Sequence, residues 1–104
     1  MSQKIANVSL RFTSDPGHGW LAVPVALLVE LKIESSLSTY SYLNDQRTVA
    51  YLEEDRDMGV FMNAARDKGL VVNISERHVE RTSIRNMHHY HPRFLPITRE
   101  ASAH

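Results

Sequence analysis

The sequence predicts a small α+β domain whose elements run strand, helix, strand, strand, helix, strand. This is the βαββαβ order of ferredoxin-like folds, with a four-stranded, mainly antiparallel sheet and two helices. Three observations predict it. Val8, Leu10 and Phe12 alternate with polar residues, the period of a strand with one buried face. Two apolar stripes, Pro24-Leu27-Leu28-Leu31 and Met58-Phe61-Met62-Ala65, have the spacing of amphipathic helices. Runs rich in β-formers lie between and after them. The 104 residues fit one domain, because so short a chain cannot divide its buried surface between two cores.

The first strand covers Val8 to about Thr13. Ser14-Asp15-Pro16-Gly17-His18-Gly19 then turns the chain, Pro16 fixing one φ and Gly17 relaxing the next. The chain is expected to return through Trp20 as a loop. Pro24 suits the first position of a helix running to about Lys32. After a serine-rich break, Thr39 to Leu43 and Thr48 to Leu52 flank Asn44-Asp45-Gln46-Arg47, a hairpin with a four-residue turn. Glu53, Glu54, Asp55 and Asp57 favour a helix start, and Gly69 suits a left-handed cap, so the second helix spans about Asp57 to Lys68. Leu70, Val72 and Ile74 alternate as a last strand reaching toward His78. Beyond Val79 no period persists, and Pro92 and Pro96 interrupt any regular element. The expectation is a compact domain over 1–78 and an extended basic, His/Arg-rich extension over 79–104.

Composition excludes several function classes. With no Cys there are no disulfides, thiolate metal sites or thiol nucleophiles. The longest apolar run, Trp20 to Val29, is too short to span a bilayer and contains Pro24, and MSQKIANVSL has no apolar signal core. A cytoplasmic protein with no membrane partner and no cofactor is expected. The zero net charge is a cancellation: residues 1–76 hold 7 basic and 10 acidic side chains, residues 77–104 hold 5 Arg and 2 Glu. Five of the six His also fall after residue 76.

Four groups of residues could carry chemistry. Asp15, His18 and Trp20 share a Gly-permissive loop, where a carboxylate and an imidazole could act as acid and base beside a stacking indole; ordinary turn chemistry and a core-plugging Trp account for the same residues. Glu53, Glu54, Asp55 and Asp57 could ligate a divalent cation, but the pattern lacks the glycine of a calcium loop and reads better as helix capping with a solvated acidic face. Arg77, Arg81 and Arg85 share one face whether the segment is helical or extended, a basic stripe suited to an acidic protein surface or to phosphates, with Tyr90 and Phe94 as stacking platforms. His88, His89 and His91, with His78 or His18, could complete a transition-metal site or form a pH-responsive surface.

Phe12 to Ile33, followed by STYSY and YLEED, resembles a family of short proteins carried by bacteria, phages and other mobile elements. The resemblance covers about Phe12 to Arg85 and implies a small accessory protein acting in regulation or against host defence. Leu21-Ala22-Val23-Pro24 through Leu31-Lys32-Ile33 is also similar to the strand-Pro-helix unit of swapped-hairpin transition-state regulators, which bind DNA as dimers. Here Lys32 replaces the glycine that usually ends that helix, and no basic DNA-facing residues precede the strand.

No constellation of nucleophile, base and orienting carboxylate is legible. The sequence therefore points to a non-enzymatic regulatory protein, dimeric, whose partner is a macromolecule and more readily a protein than a nucleic acid. Its binding residues would be Arg77, Arg81, Arg85, His88, His89, Tyr90 and His91, with Asp15, His18 and Trp20 as loop candidates. The alternatives are a nucleic-acid-binding regulator using the Arg stripe and a small metal-assisted hydrolase.

Overall fold

A computed structural model describes residues 6–95. Its sheet has six strands, not four: β1 Asn7–Ser14, β2 Gly19–Pro24, β3 Tyr42–Leu43, β4 Val49–Glu53, β5 Val71–His78 and β6 His88–His89. Helix α1 is Val25–Glu30 and α2 is Asp57–Asp67. The strand order is β5-β1-β2-β4-β3-β6, with β5 parallel to β1 and every other pair antiparallel. The ferredoxin-like expectation is therefore overturned, although the class remains α+β.

The error lies in Gly19–Pro24, expected as a loop. Trp20, Leu21 and Val23 are all buried, so this strand is covered on both faces and reads as an apolar run with no alternation. The Asp15–His18 turn thus closes a β1–β2 hairpin, pairing Thr13 with Trp20 and Ser14 with Gly19, instead of leading to a crossover helix. Gly19 is needed here, because a Cβ would overlap the Phe12 ring. Pro24 ends β2, and α1 is shorter than expected at six residues.

Both helices cover the face that presents Leu10 from β1, Leu21 and Val23 from β2, Leu43 from β3, and Ala50 and Leu52 from β4. Leu28, Phe61 and Ala65 fill the layer between. Both helix ends follow from backbone geometry. Gly69 (φ 75°) lets Leu70 N–H reach Ala65 O, while at the end of α1 the left-handed position is held by Lys32 (φ 60°), with Ile33 N–H donating to Leu28 O.

The start of α2 departs from a solvated acidic face. Asp57 is fully buried and its carboxylate accepts from Ser38 N–H (2.9 Å), the hydroxyls of Ser38 (2.7 Å) and Ser41, and Arg56 (2.6 Å). The Ser41 hydroxyl in turn accepts from Glu53 N–H (2.9 Å), and Ser41 O accepts from Tyr90 N–H. The serine-rich loop is thus a set of ligands for one buried carboxylate.

The segment after β5 is not an extended tail as far as it is described. Residues 79–87 run from β5 at one sheet edge to β6 at the other, over the face opposite the helices. Val79 N–H donates to Ser14 O, Ile84 is buried, and a 3-10 turn at Ser83–Asn86 is capped by the Thr82 hydroxyl. Tyr90 is fully buried among the core residues and its hydroxyl donates to Glu34 O. Burial, with the charges of Glu34 and Asp57, holds its phenol above the usual range. Residues 96–104, the rest of the expected extension with Pro96, lie outside the described residues. Among those described, no helix is long and apolar enough to cross a membrane.

Two stability predictions follow from these contacts. Asp57→Ala leaves several donors without their acceptor and is expected to cost about 3 kcal/mol in denaturant unfolding, whereas Arg56→Ala, removing the half-exposed partner, costs less than about 1 kcal/mol. Lys32→Gly relieves a left-handed side-chain residue and is expected to stabilise by about 0.5 kcal/mol, read as a raised urea midpoint with unchanged slope.

Candidate functional site

Strand alternation gives the sheet a second face. Register places Arg77, Thr13, Trp20 and Glu53 in one row across β5, β1, β2 and β4, and Ala22, Tyr51, Tyr42 and His89 in another across β2, β4, β3 and β6. The 79–87 strap crosses this face, and a cleft opens at each of two places along it.

The first cleft has a volume of about 360 Å³. It gathers His18 and Trp20 from GHGWL, Tyr40 and Tyr42 from STYSY, Glu53 and Asp55 from YLEED, Arg56, Arg85 from the strap, and His89. The β1–β2 hairpin, the β3–β4 hairpin, the strap and β6 therefore meet at one place. Arg85 is the joint. Its Nε and Nη2 bind the two Asp15 carboxylate oxygens at 2.9 and 3.0 Å, Nη2 also donates to His18 Nδ1 at 3.0 Å, and the guanidinium lies 5.3 Å from the Trp20 ring centre. A guanidinium only donates, so the His18 proton sits on Nε2. The aromatic rings continue outward: His18 stacks on Trp20 (5.9 Å), Trp20 meets Tyr42 edge-on (6.2 Å), and Tyr42 stacks on His89 (4.8 Å). His89 Nδ1 lies 2.7 Å from Thr39 O, a contact that requires the proton on Nδ1 and leaves Nε2 as an acceptor.

The Asp15 carboxyl is held well below the usual carboxylate range, first by the Arg85 hydrogen bonds. Burial opposes them, while the His18 and Gly17 amides and the charge of Arg85 add to the lowering. The same Asp15 contact raises Arg85. Asp15 is thus both turn residue and anchor for the strap. Trp20 is 2% exposed and plugs the sheet as expected, yet its indole N–H is buried with no acceptor among the described residues.

The second cleft, about 310 Å³, takes Arg11 and Thr13 from β1, Arg77 from β5, and Arg81, Thr82 and Ser83 from the strap, over Ala22 and Tyr51. No carboxylate lines it. Among the described residues none of Arg11, Arg77 and Arg81 pairs with an acidic side chain. The expected Arg77-Arg81-Arg85 stripe is therefore divided: Arg77 and Arg81 join Arg11, and Arg85 is turned to Asp15. Arg11 was missed because its partner residues arrive only through the parallel β1–β5 pairing, which puts Arg77 beside Thr13. Tyr40, Tyr42 and Asp55 were legible only as strand formers and a helix cap. The available signal was that Trp20 and Tyr42 fall out of phase with Leu21 and Leu43, and so belong to the opposite face.

Of the described histidines, His18 and His89 line the first cleft at the two ends of its row of rings, and the others lie apart. His78 contacts the Ser14 hydroxyl (3.0 Å), His88 faces Asp45 (3.3 Å), and His91 packs on Phe94 and accepts from Arg93 N–H. Among the described residues no three His, Asp or Glu side chains are grouped so as to hold a metal ion. Tyr90, expected as a stacking platform, has no exposed surface. Comparison of the chain with protein-family models, curated proteins and solved structures finds no match.

The Asp15–Arg85 anchor has a pH signature. A carboxylate whose folded pKa is depressed stabilises fully above its unfolded value, near the ordinary 3.8, and loses that contribution as pH falls from there toward the folded value. The melting-temperature gap between wild type and Asp15→Asn is therefore expected to be constant above about pH 5 and to close progressively as pH falls below 4.

Proposed function

We propose that the chain is a non-catalytic accessory protein that docks an acidic protein surface on its helix-free face. The observation that carries this reading is the convergence of Arg11, Arg77 and Arg81, from three segments, on a cleft with no carboxylate. Guanidinium groups held together without counter-charges repel one another, and an anionic partner relieves that repulsion while gaining several charge-assisted hydrogen bonds. The Thr13, Thr82 and Ser83 side chains add hydroxyls. Neither cleft pairs a nucleophile with an oriented base: the one Ser–His contact among the described residues, Ser14 with His78, is exposed and lines neither of them. A mobile-element origin, with a role in regulation or against host defence, rests on the GHGWL, STYSY and YLEED resemblance alone. Dimer formation belongs to the same reading, because β5 is an edge strand whose outer backbone groups have no strand partner among the described residues.

Fluorescence anisotropy with a labelled Glu/Asp-rich peptide and with an oligo-dT of equal net charge tests the reading. Peptide binding is expected to weaken with added salt and to fall at least about tenfold in Arg77→Glu/Arg81→Glu. Equal affinity of wild type and the double variant overturns it. Tighter binding of the oligonucleotide than of the peptide replaces the protein partner with nucleic acid, in which case each lost Arg also lowers the salt slope by about one.

A further inference from the structure

The first cleft has no role in docking an acidic surface, and its chemistry differs from that of the second. Its two arginines each face a carboxylate, Arg85 with Asp15 and Arg56 with Asp57, and Glu53 and Asp55 bring two more. Two guanidiniums among four carboxylates do not attract an anion. What the cleft offers is aromatic surface and hydrogen-bonding edges of both kinds. Tyr40 is 69% exposed at the cleft, a large aromatic face without a protein layer over it. The exposed His18 imidazole, in the tautomer set by Arg85, presents a donor at Nε2. Asp55 is exposed, and its carboxylate makes no hydrogen bond among the described residues.

We infer that this cleft binds a guanine base. Guanine is planar and uncharged, so it can stack on Tyr40 without a charge penalty. One edge carries two adjacent acceptors, O6 and N7, which suit the donors of His18 and Arg85. Another carries adjacent N1–H and N2–H donors, which a single carboxylate takes two at a time, and Asp55 is the carboxylate free to do so. Adenine and cytosine lack that pairing of an acceptor edge with a two-donor edge. The volume, about 360 Å³, is at the small end of the range for ligand sites and accommodates a base with its sugar. Because the surrounding charge is negative, added phosphates do not strengthen binding. Guanine could be supplied by a free nucleoside or nucleotide, or by the end of a single strand.

Trp20 is the sole tryptophan, so its indole N–H gives one resolved amide-type signal in a ¹H–¹⁵N spectrum of the full chain. On titration with guanosine that signal is expected to move saturably, with adenosine and cytidine at least about tenfold weaker and GMP no tighter than guanosine. Tyr40→Ala and Asp55→Asn, both at exposed positions, are each expected to weaken guanosine about tenfold while keeping the wild-type spectrum elsewhere. An indole signal unmoved by guanosine, equal affinity for all three nucleosides, or an Asp55→Asn protein that binds as wild type overturns the inference. A short single strand ending in dG that binds tighter than guanosine assigns the ligand to a strand end, and equal binding assigns it to the free nucleoside. Arg77→Glu/Arg81→Glu leaves guanosine binding unchanged, so failure here and failure of the acidic-surface reading are separate results.

Discussion

The buried carboxylate of Asp57 is the constraint around which the rest of the molecule is arranged. A carboxylate with no solvent must be satisfied by protein donors, and here they come from the Ser38–Ser41 loop and from Arg56. Because Ser41 also receives Glu53 N–H and its carbonyl receives Tyr90 N–H, the same cluster fixes the end of β4, the approach to β3 and the return of the chain after β6. Those are the elements that carry Tyr42, Glu53 and His89. The carboxylate buried at the first turn of α2 thus sets the positions of side chains on the opposite side of the sheet through the Ser38 and Ser41 hydroxyls and the backbone groups they hold, and not through direct contact.

The strap supplies the other half of the arrangement. It is held at Val79 by the end of β1, at Arg85 by Asp15 of the hairpin turn, and at Tyr90 by the core. Between these points it divides one sheet face into an aromatic, carboxylate-rich cleft and a basic one. The zero net charge of the chain therefore conceals a local separation. Arg85, which belongs with the basic extension by sequence, is neutralised in place, whereas Arg11, from the acidic body, joins the arginines of the extension.

Local features were legible in the sequence and non-local ones were not. The alternation of Val8, Leu10 and Phe12, the turn at Asp15–His18, the hairpin around Asn44–Arg47 and the Gly69 cap each depend on a few adjacent residues, and each has its counterpart in the structure. Gly19–Pro24 was misread because a strand buried on both faces has no alternation to detect. Burial of Asp57 and Tyr90 was not visible because Ser41, which donates to Asp57, and Glu34, whose carbonyl accepts from Tyr90, lie 16 and 56 positions away. His18, Trp20, Arg77, Arg81 and Arg85 stand out by residue type, but their division between two clefts depends on sheet order. Sheet order is set by which strands cover one another, and no short window of sequence encodes that.

The parallel β1–β5 ribbon also bears on how the chain reaches its native state. All eight of its pairs join residues 64 positions apart, from Asn7 with Val71 to Ser14 with His78. None of them can form until most of the chain has closed into a loop, and that entropy is lost before any pair compensates it. The β1–β2 hairpin needs no such closure and is free to assemble early. Until β5 docks, β1 is an edge strand with Val8, Leu10 and Phe12 uncovered on one side, the kind of surface that pairs with another chain. The slow step of folding and the interval of greatest aggregation risk are therefore the same event, the arrival of β5, and the strap that completes both clefts can cross the sheet only after it.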